Sequence, residues 1–250
     1  MKKIGVQLYT VRFTLDTEAD FRATVSAVKA IGYQSVQLFR RGTPQDTANW
    51  CRICLEEGLS VSGILGSLPD CEENAEALFD ICTTYHVPEL GISAAVTAEE
   101  EIDPFIARVN AFAEKTAQRG LIFSYHNHGV EFIKTACGKT IMKRYIDGFS
   151  ANVRFMPDTY WIHDGGFDVR HLLDLVKGRV SVLHVKDLVR TQEGHTFAPV
   201  GDGNLYFDGI LQTALQNGIE EFIVEQDKCD GDPLDCLKRS YAYLTSKLEV

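Results

Sequence analysis

Ile4-Gly5-Val6-Gln7-Leu8-Tyr9-Thr10 sets Ile4, Val6 and Leu8 against Gly5, Gln7 and Tyr9, the alternation of a β-strand. A helical pattern follows from about Asp16 to Ile31, and Gly32 stops it. This β-then-α unit repeats down the chain. Val36–Phe39 precedes a helix from about Pro44 to Glu57, Ser60–Leu65 one from about Cys71 to Tyr85, and Glu89–Ser93 one from about Ile102 to Arg119. Leu121–Asn127 precedes a helix from about Lys139 to Phe149, and Val153–Asp158 one from about Val169 to Val176. Val180–Lys186 leads to about Phe207–Gln216, and Phe222–Glu225 to about Leu234–Leu248. Eight β units alternating with eight α units, with no linker, predict an α/β chain with a parallel sheet and right-handed crossovers. A (β/α)8 barrel needs about 250 residues, so the expectation is one TIM-barrel domain over residues 1–250. An open doubly wound sheet would need a glycine-rich phosphate turn, and neither G-x-G-x-x-G nor a Walker A sequence occurs.

Composition narrows the function classes. The formal net charge of −10 disfavours a duplex nucleic-acid binder, which needs a basic face, but leaves room for an anionic small molecule held by local Arg or Lys. No apolar run reaches about 18 residues, so no membrane-spanning helix is expected, and Met1-Lys2-Lys3-Ile4 reads as the approach to a strand, not a signal peptide. Seven scattered cysteines fit a reduced, cytoplasmic protein. Cys51 and Cys54 lie mid-helix and read as packing cysteines.

In a (β/α)8 barrel the reactive groups sit where the strands end. There the sequence turns polar: Ser124-Tyr125-His126-Asn127-His128 with Glu131 after the fifth strand, Asp158 with Trp161 and His163 after the sixth, His184-Val185-Lys186-Asp187 after the seventh, and Glu225-Gln226-Asp227 after the eighth. Since alternate strand residues share a face, Asp158, His184 and Glu225 converge at one height, and His126 is the strand-five residue best placed to join them, with His128 and Glu131 as competitors. Mixed carboxylate and imidazole donors without thiolate suit one divalent ion, Mn, Co, Mg or Zn.

At these residues the chain resembles the xylose-isomerase-like sugar phosphate isomerase/epimerase superfamily over nearly its whole length. Ile4 to Arg12, Tyr125-His126-Asn127-His128 with Glu131-Phe132, His184-Val185-Lys186-Asp187, Gly201-Asp202-Gly203 and Glu225-Gln226-Asp227 carry the likeness in order. The resemblance implies a metal held by a strand-five acid, Asp158, His184 and Glu225. The chain departs at the first of these, where His126 stands in place of a glutamate that serves relatives as ligand and base. The implied activity is isomerisation or epimerisation of a sugar, keto-sugar or sugar phosphate by proton transfer through a metal-stabilised enediolate, and an inosose-type dehydratase would use the same site. Glu225 is the expected base, with His126 or Glu131 as partner and Lys186 steadying negative charge. Tyr9, His128, Trp161 and His163 are expected to face the sugar.

The long segment Leu188–Leu205 reads as a lid, with Arg190 as an anion clamp. An endonuclease IV-like reading would need further histidines on strands two and three, where Gln37, Phe39, Ser62 and Gly63 stand instead. A non-catalytic sugar-binding barrel would explain the missing glutamate but not the other polar groups at the rim. The expected partner is a small carbohydrate, with neither nucleic acid nor membrane, and the fold admits a homo-oligomer.

Overall fold

The computed structural model describes residues 2–248. Eight parallel strands form the sheet: β1 (Lys3–Gln7), β2 (Ser35–Phe39), β3 (Ser60–Gly66), β4 (Glu89–Ser93), β5 (Ile122–His126), β6 (Val153–Met156), β7 (Leu183–Val185) and, after a separate hairpin of β8 (Asp187–Thr191) and β9 (Gly194–Ala198), β10 (Glu221–Val224). Their order is β6-β5-β4-β3-β2-β1-β10-β7. The two ends meet through parallel bridges Phe155–Val180 and Asp158–His184, with Phe155 N donating to Arg179 O at 2.7 Å and His184 N to Pro157 O at 2.9 Å. The result is the expected (β/α)8 barrel.

The helices are α1 (Glu18–Ile31), α2 (Pro44–Glu56), α3 (Leu68–Glu73), α4 (Ala75–Tyr85), α5 (Glu99–Gln118), α6 (Ile141–Gly148), α7 (Thr159–Asp164), α8 (Val169–Leu175), α9 (Phe207–Gln216) and α10 (Pro233–Lys247). Their starts follow from side-chain oxygens that take up otherwise unpaired amides. Thr17 caps α1, Thr43 and Asp46 form a reciprocal box on α2, and Asp158 caps α7. The single helix expected over Cys71–Tyr85 is two, divided at Asn74, whose side-chain amide donates to Asp70 O and Oδ1 at 3.0 Å. Helix α7 is an addition to the expected pattern.

The strands sort their side chains as alternation requires. Tyr125 points outward onto Phe105, Tyr145 and Phe149 of the helical layer. Inside the barrel Leu65, Met156, Val182 and Ile223 form an apolar layer. One step further along their strands stand His184 and Glu225, two residues beyond Val182 and Ile223. Cys51 and Cys54 are fully buried, and burial pushes the Cys51 thiol up to about 12, as suits packing residues.

The segment Leu188–Leu205 is not a free lid. Its first half is the hairpin β8–β9, pinned by Phe197 stacked on Tyr160 (centroids 4.2 Å) and by His195 Nε2 at 2.7 Å from Asp164 Oδ1. Its second half wraps the buried Asp187 carboxylate, which accepts from the amides of Leu188, Gly201, Gly203 and Leu205 at 2.7–3.2 Å. A Cβ on Gly203 would lie 2.3 Å from Asp187 Oδ1, so the closeness of this wrapping demands glycine. Arg190 is exposed, pairs in register with His195, and lies away from the cavity described next. No helix among the described residues is long and apolar enough to cross a membrane.

Candidate metal centre and cavity

At the carboxyl ends of the strands, one ligand atom each from His126, Asp158, His184 and Glu225 lies within 4.8 Å of the others. All four side chains are buried. Above them opens a cavity of about 740 Å³, lined among others by Gln7, Tyr9, Ser93, His126, His128, Trp161, Lys186, Glu225 and Asp227.

Each group in the cluster is oriented from behind. His184 Nε2–H donates to Gln37 Oε1 at 2.7 Å, an oxygen that also accepts from Gln7 Nε2 at 3.0 Å. In the neutral imidazole this leaves the Nδ1 lone pair turned inward, 3.1 Å from Glu225 Oε2. A proton or a metal ion between these two atoms satisfies both, and the four converging nitrogen and oxygen donors are of the kind a divalent ion takes. His126 is steadied through Nδ1 by Ser93 Oγ at 3.3 Å, and its Nε2 faces Asp158 Oδ2 at 3.3 Å. Asp158 spends Oδ1 on the amide of Trp161 at 3.0 Å and turns Oδ2 toward the cluster. Hydrogen-bonded outer partners of this sort fix ligand tautomer and aim.

The buried ammonium of Lys186 lies 3.1 Å from both Asp158 Oδ2 and Glu225 Oε2, and 3.1 Å from Asp227 Oδ1. Burial works against its charge, but the three carboxylates outweigh that and hold Lys186 well above the usual lysine range. Burial likewise disfavours the carboxylates, yet the Lys186 ammonium holds Asp158 and Glu225 below theirs. Burial, with His184 beside it, pushes His126 down to about 4, so it remains a neutral donor at pH 7.

The His126 shift sets a pH dependence. The unfolded imidazole takes a proton near pH 6.5, while the buried one resists until about 4. Between those values the unfolded state binds more protons, so stability rises with pH through that window and is lost as pH falls. Urea denaturation of the metal-free protein is expected to show a loss of about 3 kcal/mol from pH 6.5 to 4, with His126→Gln lacking most of it. A wild-type profile flat over that range would contradict the buried neutral histidine.

The other anticipated residues divide. Tyr9, His128, Trp161 and Lys186 line the cavity, whereas His163 is exposed on α7 outside it. Glu131 is fully buried behind β5, where its Oε1 accepts from Tyr125 Oη at 2.7 Å and from the His128 amide at 2.9 Å. It therefore positions His128 and does not reach the cavity. Gln7, Gln37 and Ser93, which hold the histidines, were not anticipated. Their one sequence signal is an amide or hydroxyl at the inward end of an apolar strand.

A family model described as a xylose isomerase-like TIM barrel matches residues 25–246. The chain belongs to this family. No curated protein matches the chain. Among solved structures, the xylose isomerase-like barrel is similar to a sugar phosphate isomerase/epimerase from Parabacteroides distasonis ATCC 8503, at TM-score 0.81 and 20% identity over 98% of each chain. It is also similar to an L-ribulose 3-epimerase, at TM-score 0.77 and 14% identity over 100% of this chain and 95% of the other. A xylose isomerase-like TIM barrel protein from Mycobacterium smegmatis in complex with magnesium gives TM-score 0.73 and 16% identity over 98% of this chain and 96% of that one. At these identities the likeness is one of fold.

Proposed function

We propose that this xylose isomerase-like barrel is a divalent-metal-dependent isomerase or epimerase of a keto-sugar or sugar phosphate, with His126, Asp158, His184 and Glu225 as the metal's ligands. The observation that carries the reading is the convergence of one ligand atom each from His126, Asp158, His184 and Glu225 within 4.8 Å of one another on the floor of a sugar-sized cavity. A bound divalent cation would act as a Lewis acid for a substrate carbonyl and stabilise the enediolate left when the neighbouring proton departs. The chain supplies the rest. Glu225 Oε2 faces the cluster while Oε1 makes no hydrogen bond among the described residues, leaving it free to take the α-proton. His128, which lines the cavity edge-on against Trp161 at 5.3 Å, is the partner that returns a proton to the substrate. This role falls to His128 because Glu131 is committed behind the strand. Lys186 holds developing negative charge, and the rings of Tyr9 and Trp161 flank the sugar. The magnesium complex of one structural neighbour and the epimerase names of others support this assignment.

The test is metal content by elemental mass spectrometry, followed by incorporation of solvent deuterium into keto-sugars. About one Mn, Co, Mg or Zn per chain is expected, absent in Asp158→Ala/His184→Ala, with exchange seen only in the loaded protein. No metal in either protein after incubation with Mn²⁺ would sink the proposal, and two or three zinc ions per chain would favour phosphodiester chemistry.

A further inference from the structure

The cavity has a second end. Three arginines are among its lining: Arg12, Arg40 and Arg41. Arg40 is neutralised by a bidentate pair with Asp70, at 2.8 and 3.1 Å. Arg41 pairs with Asp16 at 2.9 Å. Deeper in, Lys186 is surrounded by carboxylates. Arg12 alone of these cations has no carboxylate partner among the described residues. Its one hydrogen bond goes to the carbonyl of Tyr9 at 2.9 Å, within its own turn.

Its position is nonetheless fixed. The guanidinium carbon lies 4.2 Å from the Tyr9 ring centroid and 4.3 Å from that of Phe13. Cation–π contact to two rings orders the group without neutralising it. Phe13 is 78% exposed, so the guanidinium face it supports stands at the protein surface. A side hollow of about 280 Å³ is lined by Arg12, Phe13, Asp16, Phe39 and Arg41. Arg12, Phe39 and Arg41 also line the main cavity, so the two spaces adjoin.

We propose that Arg12 is the anion-recognising residue of a distal subsite, and that the physiological substrate is a keto-sugar carrying a phosphate or carboxylate on the end remote from the metal. This deepens the isomerase or epimerase reading and rests on it for the orientation of the sugar. The carbonyl end goes to the cluster, the ring lies against Tyr9 and Phe39, and the charged end reaches the mouth. A planar guanidinium with unspent donors matches the oxygens of either anion in bidentate fashion. In a protein of net charge −10, an uncompensated cation fixed at the cavity mouth also draws such a substrate in. It takes the place of the clamp expected at Arg190, which is not among the residues lining the cavity.

The experiment is isothermal titration of the Mn²⁺-loaded protein with D-fructose, D-fructose 6-phosphate and D-fructuronate, which differ only in neutral, phosphate or carboxylate character at one end. At least one charged sugar is expected to bind tenfold or more tightly than fructose, and whichever does identifies the anion. Arg12→Gln is expected to bring all three within about threefold of each other with manganese content unchanged, and Arg12→Lys to keep part of the preference. Fructose binding as tightly as both charged sugars, a preference that survives Arg12→Gln, or no binding by any of the three would each overturn the proposal. Inorganic phosphate titrated into the metal-free protein separates the two readings. A site lost in Arg12→Gln would stand even if the four-residue cluster proved to hold no metal.

Discussion

Lys186→Met is expected to lower the melting temperature of the metal-free protein by roughly 6–20 °C at pH 7, and added Mn²⁺ to restore most of the loss. The Lys186 ammonium is 1% exposed and stands 3.1 Å from an oxygen of each of Asp158, Glu225 and Asp227. Removing one partner of a buried ion pair costs about 3–5 kcal/mol because the remaining charge is left unpaired. At about 2–4 °C per kcal/mol for a domain of this size, the stated range follows. The sign with pH is also fixed. In the wild type, Lys186 helps to hold Asp158 and Glu225 below the usual carboxylate range. Without it they accept protons more readily, so the deficit is largest near neutrality and shrinks as pH falls toward 4. A divalent ion between Asp158, Glu225 and the imidazoles would supply the missing charge, and its binding adds stability in proportion to its affinity. Differential scanning fluorimetry with and without Mn²⁺ reads both effects. An unchanged melting temperature, or a deficit that Mn²⁺ does not relieve, would show that the ammonium and the metal do not share these carboxylates.

The barrel was legible in the sequence because its signals are local and repeated. The strands show alternation, the helices show 3.6-residue periodicity, and Gly32, Gly58, Gly120 and Gly218 mark helix ends with positive φ. The inward register of His126, His184 and Glu225 followed from the same alternation, since a β-strand allows only two faces. What was missed depends on contacts between distant segments. That His184 leans on Gln37, 147 positions away, is invisible to periodicity. The segment of the hairpin β8–β9 reads as a lid in the sequence because its β-forming residues are interleaved with charges. Its anchors are Tyr160 stacked on Phe197 and the buried Asp187, whose role depends on amides 14–18 residues further on. Glu131 looked like a catalytic acid because it follows a histidine-rich strand end. Its direction is decided by Tyr125, an outward-facing residue whose hydroxyl it accepts from.

Asp158→Asn is expected to weaken metal binding by more than about 100-fold, since loss of even an outer partner to a ligand costs about 10–100-fold, and to abolish solvent exchange into substrate. The substitution is informative because Asp158 has two jobs on two oxygens. Oδ1 caps α7 by accepting from the Trp161 amide, and asparagine caps as well as aspartate. Oδ2 faces His126 at 3.3 Å and Lys186 at 3.1 Å, and there the charge is lost. Asp158→Ala removes both and is expected to melt a further 2–4 °C lower, the equivalent of about 1 kcal/mol for the missing cap. Metal loss without that extra drop therefore isolates the ligand role. Combining Asp158→Asn with Lys186→Met tests the coupling directly. Because each residue compensates the other, the double variant is expected to be less destabilised than the sum of the singles, with a coupling of about 0.5–3 kcal/mol. Strict additivity would mean that the ammonium is stabilised by Glu225 and Asp227 alone. Stoichiometric metal in Asp158→Asn at micromolar concentration would remove the carboxylate from the ligand set and leave His126, His184 and Glu225 as a three-residue site.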